Sequence, residues 1–265
     1  MNTFGIVLAA LCVLSAASAN ADESFVSISG ELRARYETLD GQFRANGSGG
    51  DQLLLFRSLV KMETTTTPLR LGVELQDSRT YLGDAGTPLS NSFTNAIDAL
   101  QLYADVDAPL NLFGADSNTN VRFGRQTVSI LSKRQIERVS YANVIKSYTG
   151  VHLTSNRPRG DELHALYVVP VARFPFDRRS LDDNEPDFDE EQWRRRIYGV
   201  HYKRANLLSQ IAGLSGELFL YGLQEDDSSK FQTPNRSYLT AGFRLFRPPL
   251  TGQWDLDVEV AHRSG

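Results

Sequence analysis

Apolar and polar side chains alternate with period two along much of the chain. In residues 25–39, Val26, Ile28, Leu32, Ala34 and Tyr36 share one parity, while Ser27, Ser29, Glu31, Arg33, Arg35 and Glu37 hold the other. Successive side chains of a strand point to opposite faces, so the spacing predicts a two-faced strand about twelve residues long. The pattern recurs over 69–76, 100–106, 238–245 and 254–260, and more weakly over 52–63, 121–128, 149–155, 162–171, 197–204 and 216–224. In 100–106, Leu100, Leu102, Ala104 and Val106 are expected on one face. No stretch holds a helical period. The chain is expected to be all-β, with roughly eleven strands in an antiparallel up-and-down order.

Turn residues separate the runs, as in Thr67-Pro68, Pro248-Pro249 and the 156–160 stretch. Connections near 64–68, 156–161 and 247–253 are short, and those near 40–51, 82–95, 129–148 and 172–196 are long. The stretches 107–120 and 205–215 are longer than a tight turn. Alternation alone leaves two architectures open. A secreted β-sandwich would bury the apolar face and solvate the charged one. A membrane barrel would turn the apolar face to lipid and the charged face to a water-filled lumen. Roughly eleven strands in one closed sheet exceed the about eight that side chains can fill. Strands of about 9–11 residues also suit a tilted bilayer crossing, so the transmembrane barrel is preferred.

The first residues read as an address. Residues 4–19 are uncharged and apolar, and they end in Ala17-Ser18-Ala19, a cleavage pattern of small residues. A signal peptide is expected over 1–19 and the mature domain over 20–265. Cys12, the single cysteine, lies in the leader, and Leu11 before it does not suit a lipid-attachment site. That leaves no disulfide framework and no cysteine zinc site. Lys and Arg number 28 against 32 Asp and Glu, for a net charge of -4, which argues against a nucleic-acid partner. The four histidines form no His-Glu-x-x-His pair, and no nucleophile elbow or phosphate loop occurs. Neither catalysis, a metal nor a cofactor is expected. The odd strand count and the end of the chain within a strand suggest the N-terminal part of a longer barrel.

The stretch Val121-Arg122-Phe123-Gly124-Arg125-Gln126 resembles the Gly-Arg-Gln signature of the alginate export porin family. Arg134, Tyr141-Ala142-Asn143 and Ser147-Tyr148-Thr149-Gly150-Val151 are similar to the downstream motifs of that family, and residues 30–37 and 259–262 also resemble it. Tyr141 stands where tryptophan is usual, and Leu131 where a glycine is. The resemblance implies an outer-membrane barrel of about eighteen strands that carries anionic polysaccharide through an arginine-lined conduit. Gly124, Arg125, Gln126, Arg134, Asn143 and Gly150 are its motif positions here. Membrane lipid, lipopolysaccharide, an anionic polysaccharide and periplasmic secretion partners are the partners it implies.

A polyuronate carries one carboxylate per sugar, and arginine presents a planar fork that matches a carboxylate. Parity places Arg33, Arg35, Arg57, Lys61, Arg70, Arg122 and Arg244 on the water-facing side as candidate pore lining. Glu31, Glu37, Glu63, Glu74, Asp255, Asp257 and Glu259 share that side, so ion-pair ladders compete with solute binding. Parity turns Arg125 towards lipid, where an arginine at the midplane costs about 2–4 kcal/mol. Either a bulge at Gly124 or a place at the membrane rim is expected. Seven acids between Asp182 and Glu191, flanked by Arg178, Arg179 and Arg194 to Arg196, suggest a solvated loop or an acidic lid held by those arginines. Export of an anionic polysaccharide such as alginate is the leading reading. An uptake porin for anions or oligosaccharides and a carbohydrate-binding sandwich are the alternatives.

Overall fold

The computed structural model describes residues 25–40, 50–84, 86–114 and 116–265, together with the backbone of 10–15. A short strand, β1 (Ala10–Ser15), precedes β2 (Val26–Leu39), β3 (Asp51–Thr64), β4 (Leu69–Tyr81) and β5 (Asn95–Ala108). Then come β6 (Asn118–Gln126), β7 (Tyr148–Asn156), β8 (Glu162–Ala172), a helical turn α1 (Arg178–Asp182) and the two-residue β9 (Glu190–Glu191). The chain finishes with β10 (Arg195–Arg204), β11 (Ser215–Glu225), β12 (Ser237–Arg247) and β13 (Leu256–Ser264).

Every long strand pairs antiparallel with its neighbour in sequence, and β9 alone leaves this path to pair with β8. Among the described residues one continuous sheet results, with no second sheet packed on it, so the sandwich is not what they form. Leaving aside β1 and β9, the strands among the described residues are the expected eleven. Each holds 9 to 14 residues, enough for a tilted bilayer crossing. Up-and-down order puts alternate connections at opposite ends. The stretches 65–68, 109–117, 157–161, 205–214 and 248–255 lie at one end, and 82–94, 127–147, 173–194 and 226–236 at the other. The intermediate stretches near 109–117 and 205–214 thus belong to the short-turn end. Strand β1 lies where an export leader is expected, against the edge of β2 that has no other partner among the described residues. The rest of that leader falls outside the described residues.

Burial is inverted relative to a water-soluble protein. Buried polar side chains outnumber buried apolar ones among the described residues. Along β11, Leu218 is 63% exposed while its neighbour Glu217 is 2% exposed. Val60, Met62, Leu71, Val200, Phe243 and Val260 are likewise exposed, whereas Arg33, Arg57, Gln101 and Asp105 are buried. An apolar band of this extent is stable only against hydrocarbon, which contributes about 1.5–3 kcal/mol per large aliphatic side chain removed from water. Lipid covers the outer face.

One local expectation is corrected and another is narrowed. The β4–β5 register shifts between Glu74 and Leu75 and again between Gln76 and Ser78, so β5 carries the irregularity. Leu100 and Gln101 consequently both turn inward, at 3% and 4% exposure, while Leu102 faces out. Leu100 therefore does not share a face with Leu102, Ala104 and Val106, because a bulge switches parity between them. Conversely, no bulge occurs at Gly124, where pairing runs unbroken from Leu102↔Arg125 to Ala104↔Phe123. Arg125 sits instead at the penultimate position of β6, beneath the β8–β9 hairpin. It pairs there with Asp98 at 3.3 Å and Glu191 at 2.9 Å. Of the two expected placements, the bulge is absent, and Arg125 lies at the loop-side end of its strand.

Candidate functional site: the lumen wall and the segment folded into it

The longest feature inside the sheet is the connection 127–147. Although it leaves the loop end of β6, it folds back into the lumen instead of projecting outward. Its apolar residues explain why. Val128, Ile130 and Ile136 pack on Leu166, Val168, Phe219 and Tyr221 of β8 and β11, and Ile145 packs on Leu59 and Leu100. The inward faces of β3, β8 and β11 are partly apolar where the segment lies on them, which weakens the alternation of those strands.

Polar anchors fix the segment on both flanks of the sheet. Arg33 donates to the carbonyls of Ser140, Tyr141 and Ala142 at 3.3, 3.1 and 2.9 Å, and to Asn143 Oδ1. Arg57 donates to the Ser140 and Ala142 carbonyls at 2.8 and 2.6 Å and pairs with Glu31. Arg35 reaches the Tyr141 carbonyl at 3.2 Å, and its guanidinium lies over the Tyr141 ring. Asn143, 1% exposed, donates to the carbonyls of Phe56 and Phe93. Arg138 forks onto Glu74, which also accepts from Gln101. Near the other flank, Arg134 pairs with Asp257 and Glu259 of β13, each at 3.0 Å. One segment thus touches β2 and β13, so the sheet curls around it. Val139 at φ 58°, an unfavourable conformation for a β-branched residue, is held between these anchors.

The other four parity-assigned cations lie in ion pairs. Arg70 binds Asp107 at 2.6 Å, Arg122 binds Asp105 at 2.7 Å, and Lys61 binds Glu63 at 2.6 Å. Arg244 joins Glu217 and Asp257 at 3.1 and 2.8 Å. Glu217 also accepts from His201 Nε2 at 3.1 Å, leaving His201 Nδ1 to accept from the Tyr221 hydroxyl at 2.8 Å. All seven parity-assigned cations therefore face inward. Arg33, Arg35 and Arg57, at 7, 7 and 2% exposure, are covered by the inserted segment, and the other four are partly exposed. Glu74, Gln101, Arg138, His201 and Glu217 complete the wall. Of these, parity marked Glu74 and Gln101 in advance.

The motif glycines serve the backbone. Gly124 at φ 112° faces Gly150 across the β6–β7 pair, and a Cβ on either would overlap a carbonyl oxygen of the next strand, Leu102 or Tyr167. Fully buried Gln126 donates to the carbonyls of both glycines, at 3.4 and 3.3 Å. Gly124→Ala is expected to destabilise the folded barrel by about 1–3 kcal/mol through backbone strain and overlap. Urea unfolding in detergent micelles, monitored by the gel shift of heated and unheated samples, measures this. An unchanged midpoint would contradict it.

The acidic stretch in 173–194 is tied down more than solvated. Asp177 caps α1 by accepting from the Ser180 N–H, which holds its carboxyl below the usual carboxylate range. Asp182 and Asp183 pair with Arg178 and Arg179, as the flanking-arginine idea requires. By contrast, Arg195 and Arg196 pair with Glu225 and Asp226, and Arg194 donates to the Asp227 carbonyl. Asn184 exchanges two hydrogen bonds with the Thr80 backbone. Asp189 accepts from Phe174 N–H and Asn95, and its own N–H donates to Asp98. Burial first, and then the neighbouring Asp98 carboxylate, push the Asp189 carboxyl up to about 7. A raised carboxyl binds its proton more tightly in the docked state. Docking is therefore strongest below the ordinary carboxylate range near 4 and weakens as pH rises through about 7. Hydrogen exchange of 173–194, corrected for intrinsic rates, is expected to quicken from pH 5.5 to 8, and Asp189→Asn should abolish that dependence.

A single up-and-down sheet with a lipid-facing apolar exterior, a charged interior and a loop folded into the lumen defines an outer-membrane porin-type β-barrel. A family model described as alginate export matches residues 24–265. The chain belongs to the alginate export family, whose members are transport proteins of the outer membrane. No curated protein and no solved structure matches the chain.

Proposed function

We propose that the chain walls a channel for an anionic polysaccharide of the uronate type, moving outward across the outer membrane. The supporting observation is the state of the cations in the open lumen. Arg70 and Asp107 are 25% and 43% exposed, and Arg134 and Asp257 are 47% and 41% exposed. Such solvated pairs are weak, because water competes for both partners. A sugar carboxylate can replace the protein carboxylate at small cost, and the guanidinium can pass it on as readily. Arg33, Arg35 and Arg57 act differently here, as anchors of the segment that narrows the path. The leader over 1–19 belongs to the same reading, with Asn20 as the mature terminus measurable by mass spectrometry.

Planar-bilayer recording of the purified protein tests the proposal. Anion-selective current blocked by polyuronate, and left unblocked by a neutral glucan of equal length, is the expected result. Equal block by both polymers, or by neither, would overturn it. Asp105, Asp107, Asp257 and Glu259 make the lining mixed, which favours a second reading as an uptake porin for small anionic sugars. Liposome swelling with mono- and disaccharide acids distinguishes it, since that reading requires their rapid flux.

A further inference from the structure

At the loop end of the lumen, the inner faces of β7, β8, β10, β11 and β12 frame a cleft of about 440 Å³. Pockets for small organic ligands occupy about 300–1,000 Å³, so it holds more than a single ion. Four cations line it, Lys146, Arg173, Arg195 and Arg236, against one carboxylate, Glu225. Glu225 takes two bonds from Arg236, each 2.8 Å, and one ion pair from Arg195 at 2.8 Å. Its single charge leaves the cluster strongly positive. Lys146 is exposed, and its ammonium has no partner among the described residues. Arg173 spends one donor on the Val144 carbonyl, at 3.3 Å.

Aromatic groups share the cleft with these cations. Phe176 is 57% exposed although its ring borders the site. The Tyr148 hydroxyl has no hydrogen-bond partner among the described residues, and Tyr238 carries the Arg263 guanidinium 4.1 Å above its ring. Inorganic anions need only the cations, and a fatty acid would need a mainly apolar lining. Cations beside an exposed ring suit a carboxylated sugar, whose acid group takes the charge while its C–H face lies on the ring. Lys146 is also the penultimate residue of the inserted segment, so the cleft opens beside the narrowing.

We propose that this cleft is the docking subsite at the loop-side mouth for a short oligouronate, with sugar carboxylates on Lys146 and Arg173 and a ring face on Phe176. The proposal rests on the channel reading above. Its test is block of single-channel current by oligouronates of defined length added on the loop side, each variant being compared with its own unblocked current. Lys146→Gln is expected to weaken block about tenfold, Phe176→Ala severalfold, and Lys146→Arg hardly at all. A sulfated oligosaccharide should depend less on Phe176→Ala than the uronate does. Calorimetric binding of the same oligouronate to the folded, detergent-solubilised variants gives a second measure. Wild-type block with constants unchanged in Lys146→Gln and Phe176→Ala would overturn the subsite and leave the channel reading standing. A wild-type channel unaffected by uronate from either side would overturn both.

Discussion

Replacing Arg33 and Arg57 together by alanine is expected to raise single-channel conductance severalfold and to make the current noisy. The two guanidiniums supply five hydrogen bonds to the carbonyls of Ser140, Tyr141 and Ala142, and a sixth to Asn143. A hydrogen bond from a charged donor contributes about 1.5–3 kcal/mol, so even partial re-solvation costs the segment several kcal/mol of anchorage. Loss of Arg57 alone should do less, because Arg33 still reaches the Ser140 and Ala142 carbonyls. Lysine at position 57 should restore little, since one ammonium cannot reproduce a planar fork. The measurement is conductance in planar bilayers, with proteolytic cleavage within 127–147 as a second readout. Unchanged conductance and unchanged cleavage would show that the segment is held by its apolar contacts instead.

The second large effect is expected at Glu217. This carboxylate is 2% exposed and joins His201 on its own lumen face to Arg244 and, through Arg244, to Asp257 on the last strand. Glu217→Ala leaves a buried imidazole and a largely buried guanidinium without their shared partner. Loss of one member of a buried ion pair costs about 3–5 kcal/mol. Glu217→Gln keeps an acceptor of the same shape and should cost less than half of that. Denaturant midpoints of the folded protein in micelles provide the comparison. Equal midpoints for the two variants would show that Arg244 is satisfied by Asp257 alone.

The fold was legible wherever the two faces of a strand differ in polarity. In β2, β4, β12 and β13, apolar side chains lie on one face and charged or polar ones on the other, and period two is plain. It fades in β3, β8 and β11, where Leu55, Leu59, Leu166, Val168, Phe219 and Tyr221 face inward yet meet protein. Those apolar residues, together with Val128, Ile130, Ile136, Val144 and Ile145 in a supposed loop, signal a segment returning to the interior. Parity alone could not say so, because the direction of a loop is decided by partners far along the chain. The Leu100 error has a local cause, since a bulge shifts parity by one without altering composition. For the site, parity found which cations face the lumen. It could not tell a guanidinium committed to backbone carbonyls from one open to solute, a distinction that depends on what covers it.

The segment moored to β2 and β3 on one bank and to β13 on the other also works as a cross-brace. Any breathing of the cylinder that moves those banks apart must stretch it, and the solvated Arg134 pairs will let go before the buried Arg33 and Arg57 bonds. A bulky polymer forcing its way past would therefore swing the brace on its firm end, like a gate on a hinge, without tearing it from the wall.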